Sequence, residues 1–565
     1  MPISNPAVRR LSCLALLALL VLAGCGSGTD SPGTVRQADA PAVLCPYGDA
    51  GTASAVILVS PDGSDSDSCG GSAETACATI AAAIGRCSVA GCAVAVRHGL
   101  YPTTQTILLR DAVSVHGSCR FGDEPDYHYR TVIEAAPPAG MPAIDANGIN
   151  SRTIVSGLLV LGKDETAPGE ASVAMRARAS NGLILQSVTL FAGHGGDGAQ
   201  GSTLAGGPGG DGGTPAGWSL SDYGAAGQAC PSRPDATRGN GGAGRETVRF
   251  TASNCGTDCI CQAIPSTQPA GSLAGQNSGA ATGGVNGRDG NFGGNCAGRV
   301  QPNPTPGNGE SGANGRIGDC SQDGGATGPD LADLGNITAG RWAGTIAGKG
   351  GDGGSGSGGG GGGGGGYGVF LPFGDTGKMY YGFPAGGGGG GGCGGPGGGG
   401  GQQGGASIAL ILVDSTISNL FNGANIIPGP GGNGGAGGSG GHGGPGGMGG
   451  LRYEGRQVST PFVFYDGVVM PGFGSMGGKG GAGGAGAGGA GGSAGPSIGI
   501  ALVGNSTDPG QGTIQADQAG MPGKGGAGIS NPREDGSANS QCRSADGMGG
   551  LSSGAYATAR FKEGT

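Results

Sequence analysis

Between residues 53 and 191 the apolar positions fall in short, mostly β-branched runs separated by Gly, Pro, Asn or Asp. They are Val56-Ile57-Leu58-Val59, Ala93-Val94-Ala95-Val96, Thr106-Ile107-Leu108-Leu109, Val113-Ser114-Val115, Thr131-Val132-Ile133, Thr153-Ile154-Val155, Leu158-Leu159-Val160 and the stretch 182–190. Runs of this kind predict short strands. Segment 76–87 is different: Ile80 and Ile84 stand four apart, the spacing of one helical face. One short helix followed by many short strands predicts parallel strands stacked in coils rather than a meander. Each layer of such a stack adds about 4.8 Å.

Three pieces of this region stand in a telling order. Ile57-Leu58-Val59-Ser60-Pro61 leads into Asp62-Gly63-Ser64-Asp65, then Ala78-Thr79-Ile80-Ala81-Ala82-Ala83-Ile84, then Val94-Ala95-Val96-Arg97-His98-Gly99-Leu100-Tyr101. This resembles the N-terminal end of right-handed parallel β-helices, the pectate-lyase-like fold. The resemblance implies that the helix covers the open apolar end of the first coil, as solenoid ends require. It leaves activity open, because that fold carries lyases, hydrolases, adhesins and inert scaffolds. The expected fold class is all-β: a right-handed single-stranded parallel β-helix with long glycine-rich insertions.

Beyond residue 192 glycine replaces the apolar pattern, and the whole chain holds 142 glycines among its 565 residues. The glycine blocks are 193–405, 429–450 and 474–495. Strand-like pieces return between them, Ala406-Ser407-Ile408-Ala409-Leu410-Ile411-Leu412-Val413 and Pro496-Ser497-Ile498-Gly499-Ile500-Ala501-Leu502-Val503. Both echo Ala171-Ser172-Val173-Ala174-Met175, so the blocks read as insertions between coils, leaving from one side. Within 431–448 six Gly-Gly-X triplets run in phase, and 477–493 repeats the pattern with one slip at Ala487. One side chain in three predicts a three-fold extended ribbon with two bare faces.

Collagen is excluded, since proline is only 34 residues and glycine takes two positions in three. Two states remain open, disorder and a bundle. Ordering each residue costs about 1–2 kcal/mol. A hydrogen bond returns a net 0.5–1.5 kcal/mol or so, which one pair of ribbons cannot balance. A bundle bonded on several sides comes closer, with Cα–H···O contacts adding. The third residues of 431–448 and 477–493 are expected to face outward, and the pure runs 358–366 and 386–392 to sit in the middle. The pattern resembles polyglycine-type bundles of some antifreeze proteins and phage adhesins, and the glycine-rich repeats of mycobacterial surface proteins without their N-terminal domain.

The first residues carry an address. Arg9 and Arg10 precede the apolar run 11–22, too short to span a bilayer and ordered like a secretory signal. Leu22-Ala23-Gly24-Cys25 resembles the lipobox of bacterial lipoproteins. That resemblance implies cleavage before Cys25 and its lipidation. Gly26, where inner-membrane lipoproteins carry aspartate, implies the outer membrane or cell surface. Buried acyl methylenes contribute about 0.8 kcal/mol each, so two or three chains anchor durably. The expected organisation is signal peptide 1–24, lipidated N-terminus and flexible tether 25–52, parallel β-helix 53–192, insertion 193–405, coil 406–428, insertions 429–495 and C-terminal coils and tail 496–565.

Export makes disulfides the natural use of the fourteen cysteines left after Cys13 and Cys25. Cys69/Cys77 and Cys87/Cys92 are candidate local pairs. Cys255, Cys259 and Cys261 have a spacing foreign to common zinc sites and no nearby histidine, so they too are disulfide candidates. A net charge of −9 with scattered basic residues argues against nucleic acid. Aromatic residues at 4% supply little stacking surface for a broad sugar-binding cleft.

Catalytic chemistry is hard to find. Gly-x-Gly-Gly-Asp-Gly sequences ending near Asp197, Asp211 and Asp352 are weak calcium candidates that read better as turn aspartates. A polysaccharide lyase or hydrolase, the enzyme alternative, would draw on Arg97, Arg110, Asp111, Glu134, Asp145, Arg152, Arg176 and Arg178, but no spacing forces these together. His98, His194 and His442 lack a nucleophile or carboxylate companion in sequence. No cofactor is expected. The expected role is that of a lipid-anchored envelope protein, structural, adhesive or matrix-forming. Its partners would be the membrane and envelope or extracellular polysaccharide or matrix protein.

Overall fold

The computed structural model describes residues 33–35, 43–46, 53–121, 130–205, 208, 212, 310–326, 334–356, 358–359, 361, 368–370, 378–380, 385–417, 423–452, 474–509, 513–514, 517–531 and 542–561. Strands β1 (Gly33–Val35) and β2 (Val43–Cys45) pair antiparallel, followed by β3 (Ala55–Val59) and helix α1 (Ile80–Arg86). The chain then runs through β4 (Cys92–Arg97), β5 (Gly99–Thr103), β6 (Ile107–Leu109), β7 (Val113–Phe121), β8 (Thr131–Ala135) and β9 (Pro142–Asn147). Next come β10 (Thr153–Ser156), β11 (Leu158–Leu161), β12 (Ser172–Arg178), β13 (Leu183–Gln186) and β14 (Thr189–Phe191). Two hairpins follow, β15 (Asn336–Thr338) with β16 (Arg341–Ala343) and β17 (Gly368–Phe370) with β18 (Lys378–Tyr380). The remainder is β19 (Ser407–Val413), β20 (Asn425–Ile427), β21 (Ser497–Val503), β22 (Thr513–Ile514), β23 (Ser530–Asn531), β24 (Cys542–Arg543) and β25 (Ala555–Phe561).

The protein is all-β with several parallel sheets, and α1 stands beside them. From β4 to β14, consecutive strands go in turn to a first, a second and a third sheet, and later β19, β20, β21, β22 and β25 alternate between the third and the second. The first holds β3-β4-β7-β10-β13, the second β5-β8-β11-β14-β20-β22, and the third β6-β9-β12-β19-β21-β25, these strands all paired in parallel, while β2, carrying β1, joins the first by pairing antiparallel with β7. Register puts like residues in ladders. Val94, Val115, Val155 and Leu185 align in the first sheet, and Tyr101, Ile133, Val160, Leu190 and Ile426 in the second. Ile144, Met175, Leu410 and Ile500 align in the third. These side chains form one buried cluster. Each full burial stabilises by roughly 1.5–3 kcal/mol.

Corners repeat as the strands do. Gly148, Ala179, Asp414 and Gly504 each follow a strand of the third sheet with φ of 70°, 45°, 45° and 62°. Ala179 and Asp414 hold this left-handed conformation without being glycine, at a cost of roughly 1–2 kcal/mol each. Stacking offsets it: the Ala179 amide donates to Val413 O at 2.9 Å and the Gly148 amide to Arg178 O at 2.9 Å.

Helix α1 is shorter than segment 76–87. It begins after Thr79, whose hydroxyl accepts from the Ala82 amide at 3.1 Å. Asp65, from the Asp-Gly-Ser-Asp turn, accepts the Ala78 amide at 2.8 Å, the Thr79 amide at 3.0 Å and the Thr79 hydroxyl at 2.8 Å. That turn therefore fixes where the helix starts.

Three long connections leave the second sheet and return to the third, between β14 and β19, β20 and β21, and β22 and β25. They carry the glycine ribbons. Ribbon 477–495 lies among six others. It donates from Gly483 to Gly444, Gly484 to Gly354 and Gly488 to Ala545, and accepts from Gly395 at Gly484, Ser321 at Ala485 and Gly526 at Gly489, all at 2.7–3.0 Å. Bonds recur every third residue: Gly431, Gly434, Gly437 and Gly440 donate to Gln518, Met521, Lys524 and Ala527.

Three expectations need correction. The third residues of 477–493 do not all face outward: Ala485, Ala487 and Ala490 are 0% exposed, because a ribbon with neighbours all round has no outer face and a methyl group still fits. Third residues of 431–448 are half-exposed or exposed, with Met448 at 61%. Ribbons also continue beyond 495, through 520–526 and 547–550. The segment expected to be a tether contains β1 and β2, and its Cys45 is joined to Cys119 of β7 by a disulfide.

The bundle is pinned where it meets the sheets. Ser172, Ser407 and Ser497 align in register. The Ser407 hydroxyl donates to Gly193 O at 2.7 Å and accepts from the Gly429 amide at 2.8 Å. Ser497 does the same between Gly429 O, at 2.9 Å, and the Asp517 amide, at 3.3 Å. A side chain within the bundle has far less room. A Cβ on Gly395 would run into the carbonyl oxygen of Gly441 and lie 2.9 Å from Gly486 N. Gly395→Ala is expected to destabilise by at least 1–3 kcal/mol or so and to abolish slow amide exchange across 431–450 and 477–495, read by hydrogen–deuterium exchange. Unchanged protection would show that the ribbons are not close-packed.

Candidate functional site

Of the charged residues singled out in the sequence, the fold brings together Asp145, Arg176 and Arg178. Asp145 and Arg176 are cross-strand neighbours on β9 and β12, and Arg178 sits two residues on, so both guanidinium groups share a sheet face with the carboxylate. Arg176 grips Asp145 with two bonds, Nε to Oδ1 at 3.0 Å and Nη2 to Oδ2 at 2.8 Å. Arg178 Nη2 reaches Oδ2 at 3.2 Å, and Arg176 Nη1 donates to Gly340 O at 3.2 Å. Asp145 and Arg176 are buried, at 6% and 5% exposure. A carboxylate held by three such bonds is a clasp between sheet and insertion, with no open face for a substrate or ion.

The same face continues as a second apolar cluster. Val173, Ile408, Ile411, Ile498 and Val503 pack under Ile337 and Trp342 of the β15–β16 hairpin. Trp342 donates its indole N–H to Leu334 O at 2.8 Å. Strands β19 and β21 are consequently buried along their whole length on both faces, which is why they read as unbroken apolar runs.

The other candidates stay apart. Arg97 pairs with exposed Asp62 at 3.5 Å, and Arg110 donates to Cys87 O at 2.7 Å. Glu134, Arg152 and His442 are exposed, and His98 and His194 half-exposed. Asp111 accepts the Asn150 and Ser151 amides at 2.8 and 2.7 Å and the Ser151 hydroxyl at 2.9 Å. These bonds, the Ser151 amide foremost, hold its carboxyl below the usual carboxylate range. Burial pushes the Tyr101 phenol well above its ordinary value. His116, which sequence reasoning passed over, is buried in β7 with Nδ1 2.8 Å from Ser156 Oγ. Only the register of β7 against β10 pairs the two.

The calcium candidates are spent on amides. Asp197 accepts from the Asn433 amide at 2.7 Å, and Asp352 from the Gly397 amide at 2.6 Å and Lys349 Nζ at 2.9 Å. Among the described residues one group has metal-ligand geometry, Asp65 with Cys69 and Cys77. Those cysteines form a disulfide and Asp65 caps α1, so the group is not a metal centre. Cys87 and Cys92 form the other local disulfide, and Cys320 and Cys393 are disulfide-bonded too. Cys25, Asp211, Cys255, Cys259 and Cys261 lie outside the described residues.

A small cleft of about 260 Å3 opens where the third-sheet corner, the β15–β16 hairpin and the ribbon base meet, lined by Glu170, Thr338, Arg341 and Gln402. Arg341 and Glu170 pair across it at 3.1 Å, so its charges cancel.

The sequence matches no family model and no curated protein. One solved structure, described as a rhamnogalacturonan lyase, is similar over 27% of this chain and 39% of its own, at 17% identity and a TM-score of 0.19. The chain thus spans well under half of that protein.

Asp145→Ala leaves two guanidinium groups without their counter-ion and is expected to cost about 3–5 kcal/mol in urea unfolding. Replacing all three partners by apolar residues, as in Asp145→Leu with Arg176→Met and Arg178→Met, should cost much less. Equal losses would show that the charges play no part in the clasp. Asp111 has a depressed folded value, so its contribution is complete above the unfolded value of about 3.9 and fades as pH falls through the lower folded one. The stability difference between the protein and Asp111→Asn should therefore shrink below about pH 4 and be flat at neutral pH.

Proposed function

We propose that this protein is a lipid-anchored scaffold of the cell envelope, with a structural, adhesive or matrix role and no catalysis. In this reading the three sheets are the walls of a right-handed parallel β-helix, the hand that parallel crossovers favour. The glycine ribbons form a polyglycine II-type bundle extending from one corner of it. The observation that carries the reading is ribbon 477–495, whose main chain bonds to six neighbours. A bundle of this sort is a stiff spacer built almost entirely of backbone.

The polar groups support the same reading. Asp145, Asp197, Asp352 and the neck serines are occupied in holding ribbons and sheets together. The lipobox-like Leu22-Ala23-Gly24-Cys25 would fix the chain to a membrane, with Gly26 favouring the outer membrane or cell surface. From there the bundle would meet envelope or extracellular polysaccharide or matrix protein.

Expression in a bacterial host with an alkyne-tagged fatty acid tests the anchor. Label is expected on the protein in the outer-membrane fraction, and Cys25→Ser should abolish both the label and the membrane association. Label retained on the variant would overturn the anchor. New ultraviolet absorbance from uronic-acid polysaccharides incubated with the pure protein would overturn the non-catalytic role.

A further inference from the structure

Strand β7 breaks its own alternation to bring Cys119 to Cys45. Val113 and Val115 belong to the sheet core, and strict alternation would send residue 119 to the same face. Between Ala95 and Arg97 of β4 the register against β7 shifts, so that Gly117 and Ser118 together oppose Val96, a β-bulge. Ser118 takes the left-handed conformation there, with φ of 59°, without being glycine. Its amide donates to Thr131 Oγ1 at 2.7 Å and its hydroxyl to Gly157 O at 3.0 Å, which holds the kink. Beyond it Cys119 and Phe121 lie in a separate buried cluster with Val43 and Cys45. Such strain persists only where the surroundings over-determine it. Its product here is the reach of Cys119 to the N-terminal segment.

The disulfide joins residues with a sequence separation of 74. Inside that loop lie β3, α1, β4, β5, β6 and both local disulfides. Strands β8 to β25 and the glycine ribbons lie outside it. Force entering the chain ahead of Cys45 therefore has a covalent route into β7 that skips the loop.

We propose that Cys45–Cys119 is the load-bearing attachment of the anchored molecule, passing tension from the membrane directly to β7 and sparing the end coil and its helical cap. The inference rests on the reading that the chain is anchored at Cys25. Stacked coils pulled from their first strand peel from the end, because each repeat is held only by its neighbours. Here the end coil, with the helix that packs on it, stays out of the force path. Cys45 and Cys119 are 1% and 0% exposed, so a reductant in the surroundings reaches the bond only when the cluster opens.

The test holds the full chain by its two termini in optical tweezers. The intact bond conceals up to roughly 250 Å of chain, its 74-residue separation at about 3.4 Å per residue. In the double variant Cys45→Ser, Cys119→Ser, a step of that length is expected before all others, at lower force than the first event of the unaltered protein. A thiol reductant added to the unaltered protein under constant load should release the same step, and this arm needs no altered residue. The local disulfides, with separations of 8 and 5, are too short to produce it. The step should be missing when the double variant is treated in the same way. The proposal is overturned if the variant first yields at the same force and extension as the unaltered protein, or if reduction under load releases no such step. Absence of lipid on Cys25 would remove the anchor and leave both force measurements as expected, so the two readings fail separately.

Discussion

A glycine ribbon has almost nothing to bury, so its order depends on peptide groups meeting peptide groups on every side. That constraint explains most of what is unusual in this molecule. Two ribbons could not repay the entropy of ordering. Ribbon 477–495 escapes the limit because successive amides turn toward different neighbours, and the ribbons around it return bonds to its carbonyls. The same geometry forbids side chains: a Cβ on Gly489 would run into Gly399 O, and one on Gly440 into Gly486 O. Low side-chain content is thus the condition of assembly here, and not a sign of an unstructured linker.

Such a bundle also needs a base that sets its spacing. The strands supply it. Ser172, Ser407 and Ser497 rise in one ladder, and the latter two link the start of one long connection to the start of the next. The insertion in turn gives the sheets something back. Its hairpin at Asn336–Ala343 seals the outer face of the third sheet with Trp342 and Ile337, and Gly340 accepts from Arg176. Sheet and bundle are therefore energetically coupled, and neither is a passive appendage of the other.

Much of the candidate chemistry resolves into this coupling. Asp145, Arg176 and Arg178 were visible as charged residues in strand sequence, yet nothing in their spacing foretold a clasp. Their meeting depends on β9 pairing with β12, about thirty residues apart in the chain. Asp197 and Asp352 looked like possible ion ligands because glycine-rich aspartate motifs often are. In place, each faces an unpaired amide of a neighbouring ribbon and satisfies it. His116 and Ser156 left no local trace at all, since their contact exists only through sheet register.

The features legible in the residues were local or periodic. Short β-branched runs mark strands, Ile80 and Ile84 mark a helical face within 76–87, and close cysteines offer 69/77 and 87/92 as candidate pairs, both of which form disulfides. The repeated Ser-Ile signature of β19 and β21 announced that the strands resume after each glycine block. Tertiary structure alone decided which ribbon lies at the centre, why alanine can be buried there, that Cys45 reaches back to Cys119, and that a hairpin from the insertion closes the third sheet. The reason is physical. Glycine carries no side-chain pattern to encode a neighbour, so the ribbons are sorted by where their strands anchor them and by the bonds left open once they arrive.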